Sequence, residues 1–199
     1  MSAPLIWIGF PLILAILLWI PRRANITALL GGLSSLFLAA LAWFLPVDTA
    51  IRLNETLSFK LSASLQILGR EILITSADQP LFALLYGIAS LWFFGSSAAG
   101  IARRLVPLGM GMVALLVASL SVQPFLYAAL IIQATILIAV PLLSPPDQKP
   151  GRGIIRFLIY QTLAMPFILF SGWLLAGVES SPGDIELLTQ AAILLALGF

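Results

Sequence analysis

The chain has 199 residues, of which 61% are hydrophobic and only 9% charged, and its mean hydropathy is +1.10. This composition excludes an ordinary soluble domain and indicates an integral membrane protein. Because the sequence contains neither Cys nor His, it lacks the usual ligands of iron–sulfur clusters, haem and zinc. We therefore expect no cofactor. The formal charge of +2 comes from bases at loop edges, which fits membrane orientation and not nucleic-acid binding.

Apolar runs of about the length needed to cross a hydrocarbon core follow one another along the chain. They predict an all-α polytopic fold with six full transmembrane helices, at about residues 3–20, 26–45, 81–99, 105–122, 124–144 and 154–176, and a seventh that begins near 185. Pro21, Pro46 and the proline-rich stretch 144–153 separate these runs. Helices 4 and 5 are separated only by SVQP, so we expect a tight connection with Pro124 in the first turn of helix 5.

Residues 47–80 have a different period. From Leu57 to Ile67 apolar and polar residues alternate, as in a β-strand, LGRE follows as a turn, and ILIT gives a second short strand. The pattern predicts an extramembrane β-hairpin lying on the helices; the alternative is a loop resting on the lipid headgroups. The chain then divides into helices 1 and 2 (1–46), the hairpin segment (47–80) and the beginning of a second helical domain (81–199).

Basic residues indicate the orientation. One side of the predicted topology holds seven of the ten bases and should be cytoplasmic, namely Arg22, Arg23, Arg103, Arg104, Lys149, Arg152 and Arg156. The N-terminus and the hairpin should then face outward, in a multi-pass protein of a prokaryotic inner or plasma membrane. Helix 7 would be only about 22 Å long from residue 185 to residue 199, so we expect the sequence to be a fragment of a longer chain.

Polar residues at membrane depth are the candidates for function. The predicted interiors of helices 1 to 5 hold no charge, Arg156 lies near the start of helix 6, and Glu186 lies at the start of helix 7. The neutral polar positions are Gln133, Gln161, Thr162, Ser171, Thr189 and Gln190. Their structural interpretation is hydrogen bonding between helices, worth about 0.6 kcal/mol each. Their functional interpretation is a hydrated path, in which an amide holds water but cannot change charge. Pro166 should kink helix 6 and free a backbone carbonyl.

The order of these features resembles a known family. Two helices with an outward start precede an external hairpin, helix 5 has a polar centre, and helix 6 opens with RFLIY at 156–160. ALGF at 196–199 is similar to the beginning of a later family stretch that continues to Lys, Pro, His and Trp-Leu-Pro. The chain resembles the N-terminal half or less of the antiporter-like membrane subunits of respiratory complex I, membrane-bound hydrogenases and Mrp-type cation/proton antiporters.

The resemblance implies a function and a set of residues. In the family, a glutamate on helix 5 pairs with a lysine on helix 7 during proton translocation; the glutamate position falls on Gln133, and the lysine position lies beyond Phe199. The resemblance implies a membrane subunit of an NADH:quinone oxidoreductase-type complex that contributes to proton translocation, with electron transfer on other subunits. Its partners would be other membrane subunits and the lipid bilayer. The candidate path residues are Gln133, Gln161 and Gln190, with Arg156 near the cytoplasmic entrance.

Two alternatives stay open. One is a subunit of a monovalent cation/proton antiporter, which these residues do not separate from the first reading. The other is a non-transporting membrane scaffold subunit, which the amide at the glutamate position favours. Whether the chain takes part in any enzymatic reaction depends on which of the three is correct.

Overall fold

A computed structural model of the chain describes residues 2–21, 23–45, 47, 50–54, 57–67, 69–144, 151–180 and 185–198. The chain divides into two compact units, residues 1–117 and 118–199. Five helices within the described ranges are long and apolar enough to cross a membrane, which supports the prediction of a helical membrane protein. The apolar helices Leu5–Leu17 and Ile185–Gly198 are shorter, so the count of six full spans stays a prediction.

The first unit contains the N-terminal helices. A π-helical segment, Leu5–Gly9, leads into α1 (Phe10–Leu17), and α2 (Ala24–Phe44), α3 (Gln79–Ser96) and α4 (Ala102–Ser121) follow. Helix α4 begins in this unit and ends in the next one. The observed bounds lie within a few residues of the predicted ones, because the prolines and polar residues between the apolar runs do not continue a helix.

The segment between α2 and α3 corrects one prediction. It forms two antiparallel hairpins and not one, β1 (Ala50–Asn54) with β2 (Leu57–Lys60) and β3 (Ser64–Ile67) with β4 (Arg70–Leu73). The predicted turn at LGRE is too long, because its last two residues, Arg70 and Glu71, already belong to β4, which begins before the predicted ILIT strand. The turn contains Gly69 at a φ of 75°, a backbone conformation that favours glycine.

The predicted strand from 57 to 67 is interrupted at residues 61–63. Leu61 is fully buried there. The carbonyl of Ser62 accepts a hydrogen bond from the Ala3 N–H at 2.8 Å, outside both hairpins, whereas the carbonyl of Ala63 accepts one from the Ile74 N–H at 3.0 Å and so continues the β3–β4 register. The alternation of apolar and polar residues in the sequence runs from 57 to 67 without interruption, so it does not indicate where the strand pairing breaks.

Close packing of α2 in the first unit depends on small residues. Gly31 faces α4 so closely that a Cβ atom at this position would lie 2.1 Å from Val106 Cγ1. On the same helix, the hydroxyl of Ser35 donates to the sulfur of Met110 over 3.7 Å. The next residue, Gly32, contacts α3. The Oγ of Ser90 on α3 donates a hydrogen bond to the backbone carbonyl of Gly32 at 2.9 Å. Small residues at such positions let membrane helices approach one another.

A buried tyrosine joins α3 to the N-terminal helix. Pro11 has no N–H, so it cannot donate to the carbonyl of Trp7 four residues earlier. The hydroxyl of Tyr86, which is fully buried, donates to that carbonyl instead. The indole of Trp7 is buried as well and donates to the carbonyl of Leu38 on α2 at 3.4 Å. The N-terminal helix is therefore tied to both neighbours through one residue.

The second unit contains the end of α4, the two-residue extended stretch β5 (Val122–Gln123), a 3₁₀ turn (Phe125–Tyr127), α5 (Ala128–Leu143), α6 (Arg152–Ser180) and α7 (Ile185–Gly198). The short connection between α4 and α5 was predicted correctly. The place of Pro124 was not, because Pro124 is extended, with ψ at 157°, and lies before the 3₁₀ turn and not in the first turn of α5.

Helix α6 packs on the 3₁₀ turn and on α7. A Cβ atom added to Gly172 would lie 2.8 Å from the Cα of Leu126, and one added to Gly198 would lie 2.7 Å from Ile168 Cγ1. These contacts involve the second half of α6. Along the apolar stretch with which α6 could cross a membrane, only 6% of the residues are buried, so little of this stretch is covered within the unit.

Candidate functional site: polar groups of the membrane-spanning helices

Gln133 lies in α5, near the middle of the apolar stretch Phe125–Leu143. Its side chain is half-buried, and it makes no hydrogen bond to any residue that the structure describes. The nearby hydroxyl of Thr135 behaves differently, because it is buried and donates to the Ile131 carbonyl of its own helix at 2.9 Å. The amide of Gln133 is thus a polar group at membrane depth whose partner is not supplied by the described part of the chain.

A second polar position lies on α6. Gln161 is half-buried and Thr162 is exposed, and within the described ranges neither side chain has a hydrogen bond. Pro166 lies inside α6 and has no N–H to donate to the carbonyl of Thr162. Three polar groups therefore lie together in an otherwise apolar part of the helix. They are the amide of Gln161, the hydroxyl of Thr162 and the backbone carbonyl of Thr162, which lacks its usual helical donor.

The other two predicted site residues are more exposed. Gln190 lies on the exposed face of α7, and Arg156 is exposed near the start of α6. The four predicted residues belong to three helices of the second unit, and no hydrogen bond between any two of them is found in the described structure. Their proximity along one path, and the cytoplasmic location of Arg156, stay predictions.

Two hydroxyls that could have joined helices behave differently. Ser171 is fully buried in α6 and donates to the carbonyl of Ala191 on α7 at 3.0 Å, which confirms the structural interpretation for this residue. Thr189 donates to the Ile185 carbonyl of its own helix at 2.8 Å. The structural interpretation is wrong for Thr189, because its hydroxyl has a closer acceptor one turn earlier.

Besides the indole of Trp7 and the phenol of Tyr86, the buried polar side chains in the described part of the chain are aliphatic hydroxyls, at Thr27, Ser35, Ser90, Ser96, Ser119, Ser121, Thr135 and Ser171. None of these side chains is ionised at neutral pH. The described residues also contain no group of three or more His, Cys, Asp or Glu side chains that could hold a metal ion. The described spans can therefore donate and accept hydrogen bonds, but they offer no buried group that takes up and releases a proton.

A cavity of about 370 Å³ lies between α6 and α7, lined by Trp173, Leu174, Ala176, Gly177 and Leu187. Its walls are apolar, so it supplies no group for acid–base chemistry. It does not include any of the four predicted path residues.

The sequence analysis missed the buried hydrogen bonds of the first unit. Tyr86 was read only as part of an apolar run, although a tyrosine in the middle of such a run needs a partner for its hydroxyl. Pro11 was the second signal, because a proline inside a helix leaves the carbonyl four residues earlier without its usual donor. Taken together, the two residues could have indicated the pairing of α3 with the N-terminal helix.

Comparison with known proteins adds no assignment: no family model, no curated protein and no solved structure matches the chain.

Proposed function

We propose that the chain is a membrane subunit of an ion-translocating complex of the NADH:quinone oxidoreductase type, that it has no redox centre, and that it lines part of a proton path. The observation that carries the proposal is the amide of Gln133, half-buried near the middle of a membrane-spanning helix and without a hydrogen bond to the described residues.

An amide in this position needs a polar partner. A polar group left unsatisfied in hydrocarbon costs several kcal/mol, about as much as several good packing contacts contribute. Water in a hydrated path, or a polar group of a neighbouring subunit, would remove this cost. On the next helix, the amide of Gln161 and the carbonyl of Thr162 also need a hydrogen-bond partner. The need for polar partners is therefore not confined to Gln133.

The role of these amides would be to position water. A carboxamide donates and accepts hydrogen bonds at once, so it can hold a water molecule in a chain along which protons move. It does not titrate, so the group that loads the proton has to lie outside the described spans. Partner membrane subunits of the complex would supply electron transfer and at least part of the ionisable chain.

A second candidate function is that of a membrane scaffold subunit that moves no ion. It is favoured by the exposure of α6, because only 6% of the residues in its apolar, membrane-spanning stretch are buried. An exposed apolar helix of this length offers a long surface for neighbouring subunits, and the unpaired amides would then bond to those neighbours instead of to water.

Substitution of Gln133 in the complete complex tests the proposal. The ratio of protons pumped to electrons transferred is measured in proteoliposomes for Gln133→Leu, Gln133→Glu and the control Thr135→Val, whose hydroxyl bonds only to its own helix. We expect Gln133→Leu to lower the ratio, Gln133→Glu to retain or raise it, and the control to leave it unchanged. A ratio that is the same in all three variants would refute the path and leave the scaffold function.

A further inference from the structure

We propose that three arginines at one end of the first unit, Arg23, Arg103 and Arg104, together bind the phosphate of an anionic phospholipid headgroup. Arg23 immediately precedes α2, and Arg103 and Arg104 lie in the first turn of α4. All three side chains are exposed. This surface is called the arginine cluster below.

The contacts between α2 and α4 place these residues at the same end. Gly31 lies against Val106, and Ser35 bonds to Met110 one turn farther along both helices. The two helices therefore run in the same direction in direct contact, and their first residues share one end of the unit. This conclusion depends only on the first unit and is independent of which side of the membrane is cytoplasmic.

The same register brings the arginines within reach of one ligand. Arg23 lies about 12 Å before the level of Gly31 along its helix axis, and Arg103 lies about 4.5 Å before the level of Val106 on the neighbouring helix. With helix axes about 8–10 Å apart, the two Cα atoms are about 12 Å from each other. Two extended arginine side chains can converge on one phosphate across this distance.

The cluster has no acidic partner in the described part of the chain. None of its three guanidinium groups forms an ion pair or hydrogen bond there. Helix α2 also has no acidic residue in its first turn and no side chain that caps its first N–H groups, so the end of this helix adds positive potential to that of Arg23. This end of the first unit is therefore positively charged, and no described acidic residue forms an ion pair with these arginines.

Phosphate is the ligand that this chemistry favours. The planar guanidinium group donates two parallel hydrogen bonds to a phosphate. Helices α2 and α4 are both candidates for membrane spans, and α2 begins immediately after Arg23 while α4 begins immediately before Arg103. The arginines therefore lie where a spanning helix meets the headgroups, and the phosphate available there is that of a lipid.

Native mass spectrometry of the full chain in a non-ionic detergent tests the proposal. The protein is titrated with phosphatidylglycerol and, separately, with phosphatidylcholine of the same acyl chains. We expect phosphatidylglycerol to bind more tightly. The triple variant Arg23→Gln/Arg103→Gln/Arg104→Gln should lose about fivefold in affinity per arginine, since each basic residue near a lipid surface contributes about that factor. Its affinity for phosphatidylcholine should not change.

The variant Arg152→Gln/Arg156→Gln is the matched control, because it removes exposed arginines from the start of α6 in the other unit. An equal loss in the control, or equal binding of both lipids to the wild type, would overturn the proposal. Displacement of the lipid by millimolar inorganic phosphate would overturn the choice of a lipid ligand. Should the triple variant fail to fold, the wild-type preference for phosphatidylglycerol must still weaken with added salt; a salt-independent preference refutes the site.

Discussion

Replacing Gly31 by alanine should destabilise the first unit, because the added methyl group would lie 2.1 Å from Val106 Cγ1. Val106 is fully buried and β-branched, so its side chain has few alternative rotamers with which to avoid the contact. Overpacking of this kind costs about 1–3 kcal/mol, and the severity of the overlap puts Gly31→Ala at the upper end. The better helix propensity of alanine returns about 1 kcal/mol. We therefore expect a net loss of about 2 kcal/mol in the free energy of unfolding.

The measurement is reversible unfolding of the purified protein in mixed micelles, followed by tryptophan fluorescence. Gly87→Ala is the control, because Gly87 lies on the neighbouring helix α3 and nothing would touch its Cβ within 4 Å; it should be neutral or slightly stabilising.

The double variant Gly31→Ala/Val106→Ala removes the Cγ atoms that cause the overlap. In the Val106→Ala background the overlap is absent, so Gly31→Ala should be stabilising by the helix-propensity gain of about 1 kcal/mol, which is a coupling of about 3 kcal/mol. If Gly31→Ala were as stable as Gly87→Ala, or if Val106→Ala did not relieve its cost, the inferred α2–α4 packing would be wrong.

Three further predictions concern other parts of the chain. Gly172→Ala should lower the thermal stability of the protein in detergent more than Gly177→Ala on the same helix, because the first Cβ meets backbone and the second meets nothing within 4 Å. Ser171→Ala should cost about 0.6–2 kcal/mol in the same unfolding assay, through loss of a hydrogen bond between helices, and Thr189→Ala should cost less, because its hydroxyl bonds within α7. A single cysteine at position 64 should react with an impermeant maleimide from outside intact cells, and one at position 148 only after permeabilisation; the opposite pattern would reverse the predicted orientation.

The helices could be predicted from the sequence because their signal is local. A run of apolar residues bounded by proline or charge is sufficient to locate α2 to α6 within a few residues, whatever they pack against. The hairpin segment shows where local signals fail. Alternation predicts that residues 57–67 are extended, but it does not say that the backbone at Ser62 pairs with Ala3, since that pairing is decided by a residue far away in the sequence.

The candidate site was predictable only in part, for the same reason. Depth in the membrane identified Ser171 and Thr189 equally well as polar residues in need of partners. Only the packing of α6 on α7 distinguishes them: the hydroxyl of Ser171 bonds to the other helix, whereas the hydroxyl of Thr189 bonds to its own helix. Gln133 was predicted as a polar residue at membrane depth, but no described residue forms a hydrogen bond with it, so the structure does not distinguish its two interpretations.

The hydrogen bond from Tyr86 to the Trp7 carbonyl has a consequence for how the protein enters the membrane. The N-terminal helix is synthesised before α3, but the donor for its carbonyl belongs to α3. Until α3 is inserted, this tyrosine cannot donate to the Trp7 carbonyl, so the hydrogen bond that ties the N-terminal helix to α3 is missing. Stable insertion of the first helix is therefore completed by the third, and nascent chains stalled before α3 should hold their N-terminal segment in the bilayer less firmly than the finished protein does.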